Sequence, residues 1–299
     1  MSRLPHLSLV TTEGFADYAL LDSGAGRKLE RFAKIIVDRP EPQALWQPRL
    51  GKADWAKANA VFSASGEDDE KGKWRIDKPV PESWAVTING VAMLCKLAGL
   101  WHLGLFPEQL PHWQWMLERI AVVKEGETPR VLNLFGYTGA ASLLAAKAGA
   151  EVTHVDASKK AIAWGRENQA ASKMEAAKIR WILDDAAKFV AREVRRGKTY
   201  HVILVDPPKF GRGPEGEVWD LFTHVSPLLK DCAKLLTPKG AAMVLTVYAI
   251  RASALAFDQL LRDTLKGKGG LYDTGELAIA AKGGHAIPTS LFVRWRAGE

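Results

Sequence analysis

The stretch Val131-Leu-Asn-Leu-Phe-Gly-Tyr-Thr-Gly139 decides the fold of this 299-residue chain. It starts as a β-rich run, ends in a turn with two glycines, and is followed at once by a helix-forming segment from Ala140. Doubly wound α/β sheets bind ligands at such a turn, at the carboxyl end of the first strand. Gly136 and Gly139 permit close backbone approach, and the first amides of the helix suit an anionic group. The stretch therefore predicts a ligand site.

This turn differs from the G-x-G-x-x-G fingerprint of dinucleotide-binding folds. Tyr137 and Thr138 alone separate its two glycines, and two alanines follow. The difference argues against a pyrophosphate ligand. Taken alone, the segment also fits a tight strand-to-helix turn that binds nothing.

Alternation of β-rich and helical stretches continues along the chain and predicts a mostly parallel sheet covered on both faces. The predicted strands are 130–135, 151–156, 179–183, 201–205 and 241–247. After a predicted helix over 253–266, two further strands, 276–281 and 290–295, are too close in sequence for a crossover connection and should pair antiparallel. A parallel sheet that ends in an antiparallel hairpin is typical of the class I methyltransferase fold, which is Rossmann-like.

Acidic residues follow the second and third predicted strands. Asp156 ends the second, where a carboxylate can accept both ribose hydroxyls of a bound nucleoside. Asp184 and Asp185 end the third, and one of them can cap the next helix while the other accepts from an adenine amino group. We assign the adenine contact to Asp185. Capping alone explains each acid singly, but not a glycine turn and acids at three successive strand ends.

The fourth strand runs into Asp206-Pro-Pro-Lys-Phe210. Two prolines cannot continue a central strand, so they fix a rigid loop at the carboxyl edge of the sheet. Methyl transfer requires in-line positioning of the acceptor, which such a loop can provide while Phe210 packs on a planar substrate. Lys209 and Arg212 are placed to meet a substrate phosphate, and the glycines of 211–216 suggest a segment that closes over substrate.

With these motifs the sequence resembles the class I methyltransferases that modify bases of 23S ribosomal RNA, which include 5-methylcytosine and 7-methylguanine enzymes. The resemblance runs from Leu105 to the C-terminus and implies S-adenosylmethionine as cofactor and RNA as partner. It implies an acceptor site formed by Asp206, Pro207, Pro208, Lys209 and Phe210. The cofactor contacts that it implies are Asn133, Phe135, Gly136, Tyr137, Thr138, Gly139, Asp156, Ala157, Ser158, Asp184, Asp185 and Ala186, with Glu108 and Gln109 from a looser match over 106–109.

The sequence departs from this family in one catalytic residue. Methylation at carbon 5 of cytosine needs a cysteine thiolate that adds to the ring, and the cytosine enzymes carry it after the fifth strand. Here that region, Leu245-Thr-Val-Tyr-Ala-Ile250, has none. Cys232 lies on a helical apolar stripe, which predicts a core residue. A nitrogen acceptor is therefore favoured, either nitrogen 7 of guanine or an exocyclic amine.

Residues 1–104 differ from the rest and predict a small β-rich module in front of a methyltransferase domain over 105–299. Arg27, Lys28, Arg31, Lys34, Lys71, Lys73, Arg75 and Lys78 are interleaved there with Trp46, Trp55, Trp74 and Trp84, a pattern that fits either a nucleic-acid platform or a solvated surface over a tryptophan core. The polar segment 63–73 predicts a surface loop.

Bulk properties leave the substrate open. The net charge of +7 favours a polyanionic partner. Two isolated cysteines predict neither a metal site nor a disulfide. Residues 1–9 contain no apolar run of signal-peptide length, so the expected location is cytoplasmic, without membrane association. Alternatives to RNA methylation are a small-molecule or protein acceptor, a non-catalytic RNA-binding relative and, less favoured, a dehydrogenase.

Overall fold

The computed structural model describes residues 6–65, 68–98, 101–248 and 250–298. The first part of the chain is rich in strands: β1 (Leu7–Thr11), β2 (Tyr18–Gly24), β3 (Arg27–Phe32), β4 (Ile35–Pro40), the short helix α1 (Lys52–Trp55), β5 (Ala60–Ser65), β6 (Asp68–Ile76), β7 (Trp84–Ile88) and β8 (Val91–Cys95). A 3₁₀ turn, Pro107–Gln109, leads into α2 (Leu110–Lys124).

Strands and helices then alternate. The elements are β9 (Arg130–Leu134), α3 (Ala140–Lys147), β10 (Glu151–Asp156), α4 (Lys159–Ala171), β11 (Ile179–Leu183), α5 (Ala186–Arg195), β12 (Val202–Val205), β13 (Phe210–Arg212), β14 (Val218–Asp220), α6 (Leu221–Lys234), β15 (Ala242–Tyr248), α7 (Ala254–Thr264), β16 (Leu271–Ala280) and β17 (Ala286–Arg296). The predicted alternation is confirmed.

The large sheet has eight strands in the order β1-β16-β17-β15-β12-β9-β10-β11. Neighbours from β15 to β11 pair in parallel, while β17 pairs antiparallel with β15. All four residues of β12 are buried, as expected for a strand covered on both faces. The predicted Rossmann-like sheet with a C-terminal hairpin is therefore confirmed.

The fold divides into two compact units. One comprises Met1–Val10, Pro111–Leu277 and Thr289–Glu299, and the other Thr11–Leu110 and Ala278–Pro288. The second unit contains a five-stranded sheet in the order β2-β3-β4-β5-β6 and the hairpin β7-β8. The division at residues 104 and 105 stays a prediction.

One local prediction was wrong. Residues 63–73 were expected to form a loop, but β5 and β6 pair antiparallel there. The many charged residues of β6 suit its position at the edge of its sheet, since charges protect an edge strand from pairing with other chains. In addition, β1 joins the edge of the large sheet.

The last two strands are longer than expected, and Pro288 lies inside β17. It is tolerated there because pairing with β15 begins only at Ser290.

Candidate active site

Strand register brings the predicted site residues to one edge of the large sheet. Leu134 is paired with Val155 on one side and with Val205 on the other, and Asp156 is paired with Leu183. The strands β9, β10, β11 and β12 therefore end level with one another. The residues that follow them, including the glycine turn (135–139) and the proline loop (206–210), share this carboxyl edge.

The glycine turn has an unusual backbone. Phe135, Tyr137 and Gly139 have φ values of 57°, 51° and 86°, and left-handed non-glycine residues are uncommon and concentrate at functional sites. The turn is held by hydrogen bonds from Gly136 N to the Val155 carbonyl (3.1 Å) and from Asn168 Nδ2 to the Thr138 carbonyl (2.9 Å). Its shape is thus fixed by the protein itself.

Buried side chains lie beneath the glycine turn and explain its glycines. Asn133 Nδ2 donates to Ser142 Oγ (2.9 Å), which also lies 2.9 Å from His154 Nδ1. A Cβ on Gly136 would lie 2.6 Å from that nitrogen, and one on Gly139 would lie 2.6 Å from Trp181. The two glycines therefore allow the backbone of the turn to pack closely on these side chains of the protein. Burial lowers the pKa of His154 to about 3, so the ring is neutral.

Asp156 is oriented by two backbone amides. Its Oδ2 accepts from Tyr137 N and its Oδ1 from Ser158 N, both at 2.8 Å. Burial raises the pKa of Asp156, and the two hydrogen bonds act in the opposite direction. Each carboxylate oxygen keeps a second lone pair, which is what acceptance from two hydroxyls requires. Ala157 and Ser158 follow, and Ser158 Oγ caps α4 by accepting from Ala161 N (3.2 Å).

The two acids after β11 have roles that differ from the expected division. Asp185 is the N-cap of α5, with Oδ1 accepting from Lys188 N (2.9 Å), because the helix begins at the next residue, Ala186. Asp184 instead forms an ion pair with Arg192. The assignment of the cap to the other acid was wrong. The contact between Asp185 and adenine stays a prediction. Oδ2 would make this contact, because Oδ1 caps the helix.

The proline loop leaves β12 in the predicted way. Pro207 is buried, Asp206 and Pro208 are partly buried, and Lys209 and Phe210 are exposed. Phe210 is 62% exposed, and Lys209 Nζ lies 5.2 Å from the centroid of its ring. An aromatic face and a cation are thus presented together at the sheet edge.

The segment after Phe210 is an antiparallel hairpin, β13-β14, which the sequence did not predict. Trp219 Nε1 donates to the Pro208 carbonyl (2.7 Å), and Lys188 forms ion pairs with Glu215 (3.1 Å) and Glu217. The glycines of 211–216 suggested a closing segment, whereas this hairpin is bonded to the proline loop and to α5. No local sequence pattern marks these contacts, because their partners are distant in the chain.

Glu108 and Gln109 belong to the second unit, in the 3₁₀ turn. Glu108 is partly buried, and burial raises the pKa of its carboxyl while the charge of Lys28 acts in the opposite direction. Their contact with the cofactor stays a prediction.

Both cysteines are buried. Cys232 is fully enclosed in the core of the large sheet, as predicted, and burial raises the pKa of its thiol. Burial raises the pKa of Cys95 to about 12. A thiol in such surroundings is protonated at neutral pH and inert as a nucleophile. The strand β15 ends at Tyr248, and neither this residue nor Ile250 is a cysteine; Ala249 lies outside the described residues.

The first unit fits S-adenosylmethionine. Gly139 caps α3 without a side chain, so the first amides of that helix can meet a carboxylate. Asp156 offers oriented acceptors for ribose, and Asp185 offers one for an amino group. When bound, the cofactor supplies an activated methyl group on a sulfonium.

Comparisons with known proteins show the family of this chain. A family model for S-adenosylmethionine-dependent methyltransferases matches residues 53–278. The crystal structure of a SAM-dependent methyltransferase from Agrobacterium tumefaciens is 47% identical, with a TM-score of 0.93 over 98% of this chain and 94% of that one. A putative methyltransferase crystallised with S-adenosylhomocysteine shares the fold, at 17% identity and a TM-score of 0.73 over 94% of this chain and 76% of that one.

Two curated relatives are named as ribosomal RNA methyltransferases. Ribosomal RNA large subunit methyltransferase K/L of Shewanella baltica is 36% identical over 159 residues, which are 52% of this chain and 21% of the relative. Methyltransferase I of Cronobacter sakazakii is 30% identical over 203 residues, 67% of this chain and 48% of the relative. This chain spans less than half the length of either.

None of the helices in the described part of this chain has the length and hydropathy needed to cross a membrane.

Proposed function

Because this chain belongs to the S-adenosylmethionine-dependent methyltransferase family, we propose that it methylates a base of RNA, with ribosomal RNA as the substrate class. The two ribosomal RNA methyltransferases to which it is similar support the substrate class. The observation that carries the proposal is the exposed ring of Phe210, flanked by Lys209 and Arg212, directly after the Asp206-Pro207-Pro208 turn. Such a surface stacks a base and neutralises its phosphate. With ribosomal RNA as substrate, we propose a cytoplasmic location.

We propose a nitrogen acceptor on that base. Carbon 5 of a pyrimidine requires a thiolate that adds to the ring, and both thiols of this chain are buried and protonated. Nitrogen 7 of guanine carries an in-plane lone pair and needs no base. An exocyclic amine must lose a proton, which Asp206 can accept while the Pro207 carbonyl orients the N–H. Both acceptors remain part of the proposal.

A fractionation experiment separates RNA from other acceptors. The purified protein is incubated with methyl-labelled S-adenosylmethionine and either total RNA or an RNA-free extract. We expect ribonuclease-sensitive label in the RNA. If the acceptor is an exocyclic amine, Asp206→Ala should lower the label about 100-fold, since a positioned acid or base contributes roughly 10²–10⁴ in rate. Asp231→Ala, in an exposed ion pair with Lys234, is the matched control. Label in the RNA-free extract alone would instead indicate a protein or small-molecule acceptor.

A further inference from the structure

A pocket in the second unit has no role in the chemistry described so far. It has a volume of about 290 Å³ and is lined by Gly24, Arg27, Pro48, Leu50, Lys52 and Trp55 among others. We infer that it binds one unpaired base of the RNA substrate, other than the base that is methylated, stacked on Trp55 with a phosphate on Lys52. This inference rests on the proposed function and names a second contact for its substrate.

The pocket is small and has an apolar lining with a cationic rim. Small-molecule pockets span roughly 300–1,000 Å³, so this one lies at the small end of that range and has room for a single planar ring system. The faces of Trp55, Pro48 and Leu50 provide the apolar surface. A base has the matching shape, because every base presents a π-face to an aromatic side chain.

A buried carboxylate holds the pocket in shape. Asp22, only 3% exposed, accepts from Leu50 N (2.8 Å), Arg49 N (3.3 Å) and Trp55 Nε1 (3.0 Å). Burial alone would raise the pKa of Asp22, but these hydrogen bonds outweigh it and the pKa is lowered. The carboxylate thus fixes both the indole and the adjoining segment, which reduces the entropy lost when a ligand binds.

The opposite wall requires a glycine. Gly24 has a φ of 152°, and a Cβ there would lie 2.8 Å from Pro48 Cα, with still closer contact to Pro48 N. The turn that follows, at Ala25 and Gly26, is bound to the carbonyls of Trp46 (2.6 Å) and Ala44 (3.0 Å). The pocket is therefore built by close backbone contacts on one side and by Asp22 on the other.

Charge favours an RNA over an apolar protein segment as occupant. Arg27 is paired with Asp38 (2.6 Å) and also donates to the Phe62 carbonyl. Lys52 is exposed, and within the described residues its ammonium has neither an ion pair nor a hydrogen bond. The pocket lining contains two cations and no acid. A free cation beside an aromatic wall matches a base and its phosphate.

Of the four tryptophans in the predicted nucleic-acid platform, Trp55 is the one that lines this pocket. Trp84 is buried with Nε1 bonded to the Phe32 carbonyl, Trp74 packs on Phe62, and Trp46 bonds Ser23. The side chain of Lys71 lies outside the described residues.

The test uses the full chain and two probes, a labelled unstructured oligouridylate and inorganic polyphosphate. Trp55→Leu should weaken binding of oligouridylate about 5- to 100-fold, since stacking contributes roughly 1–3 kcal/mol per base and 1.4 kcal/mol is tenfold. It should leave polyphosphate binding unchanged, and Trp55→Phe should restore most of the lost affinity. Lys52→Met should reduce the slope of log K against log salt by about 0.7.

Matched variants control for structural damage. Trp74→Leu removes a partly buried tryptophan outside the pocket lining, and Lys34→Met removes an exposed cation elsewhere in the unit. Both should bind like the wild type. The pocket would be overturned if the Trp55 and Lys52 variants kept the affinity and salt slope of the wild type, or if the Trp74 variant lost as much affinity as the Trp55 variant. In either case, RNA methylation by the wild type would still support the proposed function. Absence of RNA binding by the wild type would reject the function itself.

Discussion

The ring of Phe135 packs against the ring of Trp219, with centroids 4.9 Å apart and planes inclined by 58°. Phe135 belongs to the glycine turn, and Trp219 donates from Nε1 to the carbonyl of Pro208 in the proline loop (2.7 Å). Two segments that are distant in the chain are thus joined through one indole. We expect this contact to keep acceptor and cofactor in line, which methyl transfer requires.

Trp219→Phe keeps a ring against Phe135 but removes the hydrogen bond to Pro208. We expect kcat to fall about 2- to 10-fold, corresponding to a hydrogen bond of 0.5–1.5 kcal/mol, without a change in cofactor affinity. Steady-state kinetics with both substrates measure this, and Trp113→Phe, a buried tryptophan of α2, is the control. An unchanged kcat, or a loss confined to cofactor affinity, would refute the positioning role of Trp219.

The raised pKa of Asp156 predicts that cofactor affinity depends on pH. The ionised carboxylate accepts hydrogen bonds, and burial raises its pKa above the usual value. As pH falls through this raised pKa, the carboxyl gains a proton and cofactor affinity should drop. The stability of the unliganded protein depends on pH in the opposite direction. A raised pKa favours the folded state at low pH, and that stability is lost as pH rises through the raised pKa.

Asp156→Asn tests this by calorimetric titration with S-adenosylmethionine across pH. The amide loses one acceptor and presents a donor to a backbone N–H, so affinity should fall roughly 10- to 100-fold, as for hydrogen bonds to charged groups. The acid-side dependence should also disappear. A variant that retains the wild-type pH profile would show that another group is responsible.

Gly136→Ala should destabilise the first unit. The added Cβ would lie 2.9 Å from Asn133 Nδ2 and nearer still to His154, both in a closely packed layer. Overpacking of this kind costs about 1–3 kcal/mol. Urea unfolding measures the change, and Gly126→Ala, where the nearest atom is 4.0 Å away, should be neutral. Equal stability of the two variants would contradict the packing that we describe.

Cys232→Ala and Cys95→Ala should both keep methyltransferase activity within a few fold of the wild type. Neither thiol is an available nucleophile, so the cost is a small core cavity of about 1 kcal/mol. Activity assays with thermal unfolding as the fold control measure this. A loss of activity beyond 100-fold in a folded variant would show that a thiolate takes part.

Local sequence predicted the large sheet well because its strands carry a strong signal. The run Val202–Val205 is apolar throughout, and each strand end is marked by a glycine, an acid or a proline. Parallel register then places these markers at one edge, so Asp156 and the proline loop were predictable. The family and its cofactor followed from the combination.

Contacts between distant segments could not be predicted in the same way. The hairpin β13-β14 is short, and its position depends on the hydrogen bond of Trp219 and on the ion pair with Lys188 of α5. The polar β6 resembles a loop until its pairing with β5 is known. Likewise, the choice of Asp185 as cap depends on a helix boundary of one residue, which sequence patterns do not resolve.

The most direct test of the central claim is mass mapping of the nucleosides in ribosomal RNA that the purified protein has methylated, with RNA taken from cells that lack it. We predict one new nucleoside methylated on a base nitrogen, either 7-methylguanosine or a nucleoside methylated on an exocyclic amine, and in the second case a yield about 100-fold lower with Asp206→Ala. The appearance of 5-methylcytidine, or of no methylated nucleoside while the cofactor is consumed on another acceptor, would contradict it.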